Sequence, residues 1–248
     1  QSSISSDQPD ISYQYDDNGN LSRKVISRLV DGQHSTETLD YAFDIRGQLQ
    51  QITTGGSSIG QFLYDPDGQR IRARFNDNSG ALLSDRYSLY HGLSLLSQYD
   101  ISPGNTPLLN ANYLINTLTS KAIGRTAWRE SDNANNTLTW YHNDAQGSVM
   151  ASSRPGHSIA SRYDYDAWGN EVQNTDTSDN PLGYTGHQMD RLSEGKTGLI
   201  YANARYLDPD TGRFLSFDPF EGYDNKPISL HRYLYAYQNP LRYTDPDG

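Results

Sequence analysis

The sequence contains no cysteine, which excludes disulfide staples, thiol nucleophiles and zinc-thiolate sites and leaves the redox compartment open. Long apolar runs are missing too. No stretch approaches the roughly 18 residues that mark a membrane span, and Gln1-Ser2-Ser3-Ile4-Ser5-Ser6 lacks the charged-then-apolar layout of a signal peptide. The expectation is a chain without a membrane span that is either exported by a dedicated machine or is an internal fragment. Blocks of positive charge are also absent. Net charge is −10 and the pI about 4.9, with both signs scattered, so nucleic acid is not an expected partner. With 34% hydrophobic residues, 6 Phe, 2 Met and a mean hydropathy of −0.80, a thick oily core is not expected either.

What is present is tyrosine, 19 of them, in a chain that is 11% aromatic. Disordered chains are poor in aromatics, so this content excludes disorder. A tyrosine buries a large ring while keeping its hydroxyl wet or hydrogen-bonded, which suits a thin sheet with polar surroundings on both faces.

The tyrosines fall into a repeat: aromatic, Asp, two residues, Gly, then a polar and usually an aliphatic residue. Its copies are Tyr15-Asp16-Asp17-Asn18-Gly19, Phe43-Asp44-Ile45-Arg46-Gly47, Tyr64-Asp65-Pro66-Asp67-Gly68 and Tyr165-Asp166-Ala167-Trp168-Gly169. A degenerate copy is Tyr141-His142-Asn143-Asp144-Ala145-Gln146-Gly147. In each, the aromatic ends a strand, Asp caps the turn with its own oxygen, and Gly takes the left-handed position. Intervals of 21 to 28 residues between successive glycines fit two strands and two turns per repeat, and worn copies are expected between Gly68 and Gly147. The fold class expected is therefore all-β, built from stacked hairpins.

From about Tyr163 an ordered series of motifs follows: Tyr165-Asp166-Ala167-Trp168-Gly169, Gly183-Tyr184-Thr185-Gly186, Gly198-Leu199-Ile200-Tyr201, Ala204-Arg205-Tyr206-Leu207-Asp208-Pro209, Thr211-Gly212-Arg213-Phe214, Asp218-Pro219, Tyr233-Leu234-Tyr235-Ala236-Tyr237, Asn239-Pro240 and Asp245-Pro246-Asp247-Gly248. With the repeats before it, this series resembles the C-terminal part of RHS/YD-repeat proteins. The resemblance divides the chain into YD-repeat shell (1–162) and RHS-associated core domain (163–248).

It implies a strip of hairpins forming part of a hollow β-shell, or cocoon, that is sealed by the core region and encloses a C-terminal toxin. The implied partners are the remainder of the shell, the enclosed toxin fragment and a secretion or translocation apparatus. The implied location is secreted, after synthesis in the cytoplasm. It further implies single-turnover aspartyl self-cleavage just past the final Asp-Pro-x-Gly, with no activity in trans. Carried over by motif, Asp218, Asp245 and Arg205 are the catalytic candidates and Pro246, Asp247 and Gly248 the cleavage-adjacent ones. Arg213 is the substitute for Arg205. Of two close carboxylates, one can remain protonated and polarise a carbonyl while the other activates water. The first Asp-Pro motif departs from the pattern by one residue, reading Asp218-Pro219-Phe220-Glu221-Gly222. The alternative function is a cell-surface adhesion or carbohydrate-binding module built on the same Tyr- and Trp-rich surface.

Other motifs have plainer readings. Gly56-Ser57-Ser58-Ile59-Gly60 matches the nucleophile elbow, but it sits between strand-like stretches and reads as a hairpin loop. Asp16-Asp17-Asn18-Gly19 and Asp208-Pro209-Asp210 lack the rest of a calcium loop and read as turns. The six histidines (His34, His91, His142, His157, His187 and His231) show no metal-ligand spacing, so neither metal nor cofactor is expected. Asn135-Asn136-Thr137 is a formal glycosylation sequon.

Overall fold

Each Asp-x-x-Gly unit closes on itself in the same way in a computed structural model of the chain, which describes residues 10–30, 33–101, 107–127, 137–156, 158–175, 180–192 and 198–248. In the first copy the Asp16 carboxylate accepts the main-chain N–H of Asn18 at 3.0 Å and of Asn20 at 2.7 Å. Gly19, at φ +80°, donates to the Asp16 carbonyl at 3.0 Å. The turns at Asp44, Asp144 and Asp166 repeat this bonding, and at Asp65 the carboxylate accepts the Gln69 N–H and the carbonyl the Gly68 N–H. His157 and Asn135-Asn136 of the sequon lie outside the described residues.

Turns of this kind join fourteen strands into one antiparallel sheet in which spatial order equals chain order. The strands are β1 (Asp10–Tyr15), β2 (Leu21–Val30), β3 (Gln33–Phe43), β4 (Leu49–Thr54), β5 (Ser57–Tyr64), β6 (Arg70–Asn76), β7 (Leu82–His91), β8 (Ser94–Ile101), β9 (Pro107–Ile115), β10 (Ala122–Ala127), β11 (Thr137–Asn143), β12 (Val149–Ser153), β13 (Ile159–Tyr165) and β14 (Glu171–Asn174). Successive turns of such a meander alternate between its two ends, so the five YD turns, each separated from the next by an even number of strands, all lie along one rim. They are tied to their neighbours there: Gln48 Nε2 donates to the Gly68 carbonyl at 3.3 Å, Gln69 Nε2 to that of Gly92, and Arg46 Nη1 to that of Pro66 at 3.1 Å.

Between Gly68 and Gly147 the repeat changes in two ways. Asp77-Asn78-Ser79-Gly80 forms the same capped turn on the opposite rim, with Asp77 accepting from Ser79 and Ala81. On the YD rim the work at β9–β10 passes to Asn116, whose side chain accepts from Leu118, and to Ser120 at φ +56°. The elbow-like motif is split: Gly55-Gly56 makes the turn and Ser57 to Gly60 already belong to β5.

A second antiparallel sheet contains β15 (Gln188–Asp190), β16 (Leu199–Ala202), β17 (Arg205–Asp208) and β18 (Arg213–Phe214), and every residue of β15, β16 and β17 is buried. The residue 162/163 boundary falls inside β13, and this second sheet begins only at Gln188. It packs on the long sheet. Leu39, Ile52, Ile59 and Phe62 meet Leu199, Tyr201, Tyr206 and Leu215 in one apolar cluster. Burial of tyrosine rings supplies much of what a low aliphatic content withholds. Among the described residues no helix is long and apolar enough to cross a membrane.

Two buried cations fasten the sheets together. Arg70 Nη2 reaches Gln188 at 3.2 Å and Asp190 at 3.1 Å, Nη1 reaches Asp190 and, at 2.6 Å, the Tyr206 hydroxyl, and the guanidinium lies 4.3 Å from the Tyr201 ring centre. Lys24 Nζ sits between Asp208 at 2.9 Å and Asp210 at 2.7 Å. An ammonium thus occupies the place a cation would take beside Asp208-Pro209-Asp210.

Within the described residues β1 and β14 each have one neighbour only. Open sheet edges template pairing with other chains. At tens of micromolar, light scattering is expected to give a mass above that of the monomer, and a monodisperse monomer would contradict this.

Candidate functional site

The turn between β16 and β17 contains Asn203 and Ala204. Asn203 adopts φ +66°, a conformation asparagine tolerates better than most side chains because its short amide satisfies local polar groups. This turn delivers Arg205 at the start of β17, where its guanidinium carbon lies 3.8 Å from the Phe214 ring centre on the neighbouring β18. The side chain is only 6% exposed, and burial draws its pKa down against the pull of Asp218 and Asp245.

Every branch of this guanidinium is used. Nε donates to the main-chain oxygen of Gly248 at 2.6 Å and Nη1 to the carbonyl of Arg232 at 3.1 Å. Nη2 contacts both candidate aspartates, Asp218 at 2.8 Å and Asp245 at 3.6 Å. The planar fork suits this, since its five N–H groups project in fixed directions. Asp218, Asp245 and Arg205 are therefore brought together beside Gly248, whereas Arg213 is exposed on β18 and does not line the cleft.

Asp218 is fixed from its other side as well. Its second oxygen accepts the Phe220 N–H at 2.8 Å, its own N–H donates to Arg232 at 2.8 Å, and Arg232 Nε donates back to its carbonyl at 2.5 Å. The capped turn closes at Phe220, so the extra residue in Asp218-Pro219-Phe220-Glu221-Gly222 does not displace the carboxylate. Gly222, at φ +89°, instead packs its backbone under Ser229, where a Cβ would come 2.4 Å from the carbonyl oxygen.

Asp245 accepts the Gly248 N–H at 3.1 Å. Burial pushes its carboxyl pKa up; Arg205 opposes this and the neighbouring Asp247 adds to it. Both aspartates open onto a cleft of about 240 Å³ that His231, Tyr237 and Tyr243 also line. The geometry has the parts of a carboxylate pair: one aspartate held close by a guanidinium, the other biased toward its neutral form, and a peptide segment clamped beside both.

The remaining cleavage-adjacent candidate, Pro246, gives its carbonyl to Asn203 Nδ2 at 2.8 Å. Near it lies His187, buried, with Nδ1 2.8 Å from the Thr185 hydroxyl. Arg232, Asn203 and His187 were not among the sequence candidates, and no motif spacing marks them. In the Tyr233–Tyr237 stretch Tyr235 is buried and Tyr237 exposed, while the Tyr233 hydroxyl donates to the Gly19 carbonyl at 2.7 Å, tying this segment to the first YD turn.

Burial, reinforced by the Lys121 cation, pushes the His187 imidazole down from 6.5 to about 4. The unfolded chain then binds the extra proton first, so stability is complete above pH 6.5 and drains away as pH falls toward and through 4. At pH 4.5 the loss from this group is on the order of 2 kcal/mol. Urea unfolding at pH 7 and pH 4.5 is expected to show it, and His187→Gln to remove that component.

No protein-family model matches the chain. Over 244 residues it is 31% identical to the tRNA3(Ser)-specific nuclease WapA of Bacillus spizizenii, an alignment covering 96% of this chain and 9% of that protein. It is 24% identical over 261 residues to the probable deoxyribonuclease RhsA of Dickeya dadantii, covering 96% of this chain and 15% of the relative. The chain thus spans less than a fifth of either protein. In fold it matches the crystal structure of TcdB2-TccC3-Cdc42 with a TM-score of 0.66 at 20% identity, over 96% of this chain and 13% of that one. The chain is an RHS-related, all-β protein over nearly its whole length.

Proposed function

We propose that this chain is the closing end of a toxin-enclosing RHS shell and that it cuts its own polypeptide just past Gly248, freeing an enclosed C-terminal toxin that stays inside until delivery. The observation that carries the reading is the convergence of Asp218, Asp245 and the Gly248 oxygen on the single guanidinium of Arg205. Relatedness to much longer nucleases supports a place beside a toxin domain, with the rest of the shell and a secretion or translocation apparatus as partners.

The chemistry is peptide hydrolysis. Protonated Asp245 donates to the scissile carbonyl oxygen while Asp218 takes a proton from water, whose oxygen bonds to the carbonyl carbon. When the C–N bond breaks, the departing nitrogen takes a proton from Asp218 while the hydroxyl formed on the former carbonyl oxygen returns its proton to Asp245, leaving an amine and a carboxyl group. Arg205 holds Asp218 and steadies the oxyanion. Because product and catalyst are one chain, the site turns over once.

Expression of a parent chain that continues past Gly248 tests this. Two fragments on a denaturing gel, eluting together under native conditions, with the first ending immediately beyond Gly248 by intact mass, are expected. An uncut chain, or a cut elsewhere, would overturn the reading.

A further inference from the structure

The hairpin that carries Arg205 holds the terminal segment at a second point. Asn203 Nδ2 donates to the Pro246 carbonyl at 2.8 Å, and Arg205 Nε donates to the Gly248 oxygen at 2.6 Å. One residue lies between the donors and one between the acceptors, so the contacts run in step, like rungs between neighbouring strands. The backbone of Gly248 also lies so close to the hairpin that a Cβ there would come 1.9 Å from the Ala202 oxygen. No larger residue fits at that position in this register.

We infer that Asn203 is a positioning residue which sets the register of the terminal segment over Asp218 and Asp245, an inference that rests on the proposed self-cleavage. Arg205 alone fixes one peptide group and leaves the segment free to slide or pivot about it. A slip of one residue moves the next peptide by about 3.3 Å, and a displacement of about 1 Å can cost a hundredfold in rate. The Asn203 amide removes that freedom. Its own left-handed backbone aims the amide at the segment, and glycine is the other residue that adopts this conformation without strain.

The terminal segment also borders a pocket of about 90 Å³ shared by Asn203, His187, Lys121 and Pro246. His187 shares this space, and the Pro246 carbonyl favours its protonated form. Without the amide, the Pro246 carbonyl loses its tie to the hairpin and keeps only the His187 side of this space.

The test uses a parent chain continuing past Gly248, with Asn203→Gly and Asn203→Asp. Asn203→Gly keeps the turn and deletes the donor. Its first-order cleavage is expected to fall about tenfold or more, with the melting temperature unchanged. Asn203→Asp presents an acceptor to the carbonyl at neutral pH and a donor once protonated. Relative to wild type, its rate should be lowest at neutral pH and recover as pH falls, which a role confined to folding would not produce. In parallel, hydrogen exchange on the 248-residue chain should show residues 244–248 losing protection in Asn203→Gly. Wild-type cleavage with both variants cutting at the wild-type rate would overturn the inference. If the wild type is not cut, the self-cleavage reading fails, and exchange alone decides: retained protection in Asn203→Gly overturns the grip, lost protection supports it.

Discussion

Asp245→Asn is expected to leave a parent chain that runs past Gly248 uncut, as a single band where the wild type gives two. Asparagine keeps the shape and the hydrogen bond from Gly248 but carries no transferable proton. Acid-base catalysis by a positioned side chain contributes roughly a hundred- to ten-thousandfold. The same loss is expected from Asp218→Asn, which also discards the ion pair with Arg205. Members of one catalytic unit are strongly non-additive, so the double variant should be no slower than either single one. Asp245 is pushed toward its neutral form by burial and Asp247, so the wild-type rate should decline as pH rises through its elevated pKa. Both aspartates are partly exposed, at 35% and 24%, and thermal melts should therefore change little. Cleavage by both variants at the wild-type rate would remove the aspartyl assignment.

Arg70→Met should cost the most stability of any single change considered. It leaves the Asp190 carboxylate without its cation in a site where both side chains are almost fully buried, at 3% and 4% exposure. Removing one partner of a buried pair costs about 3 to 5 kcal/mol. For a chain of this size that corresponds to a fall in melting temperature of roughly 10 °C. The orphaned carboxyl will protonate rather than remain charged, so the deficit should shrink as pH is lowered. Combining Arg70→Met with Asp190→Leu should recover much of the loss, because the uncompensated charge is then gone. A single variant melting within about 2 °C of wild type would show that the Arg70–Asp190 pair adds little to the hold between the sheets.

The repeat was legible because an aromatic, an aspartate and a glycine impose three separate constraints on five residues. Where the constraints are met by other residues, the pattern disappears from the sequence. Asn116 and Ser120 build a turn without Asp or Gly, and Asp77–Gly80 writes the motif on the opposite rim. The site divides in the same way. Asp218, Asp245 and Arg205 came from motif order, and what the fold adds is that the substitute, Arg213, is exposed on β18 and away from the cleft. Asn203 and Arg232 were invisible because they bond main-chain carbonyls of Pro246 and Asp218, and a carbonyl acceptor is the same on every residue.

The side-chain ties along the YD rim run from one turn to the turn two strands away, and never to the turn between, which lies at the other end of the sheet. A single added strand would reverse the chain and send every later tie to the wrong end. An added pair leaves each existing tie intact. Wall length in such a protein can thus be altered by gene duplication only in even increments.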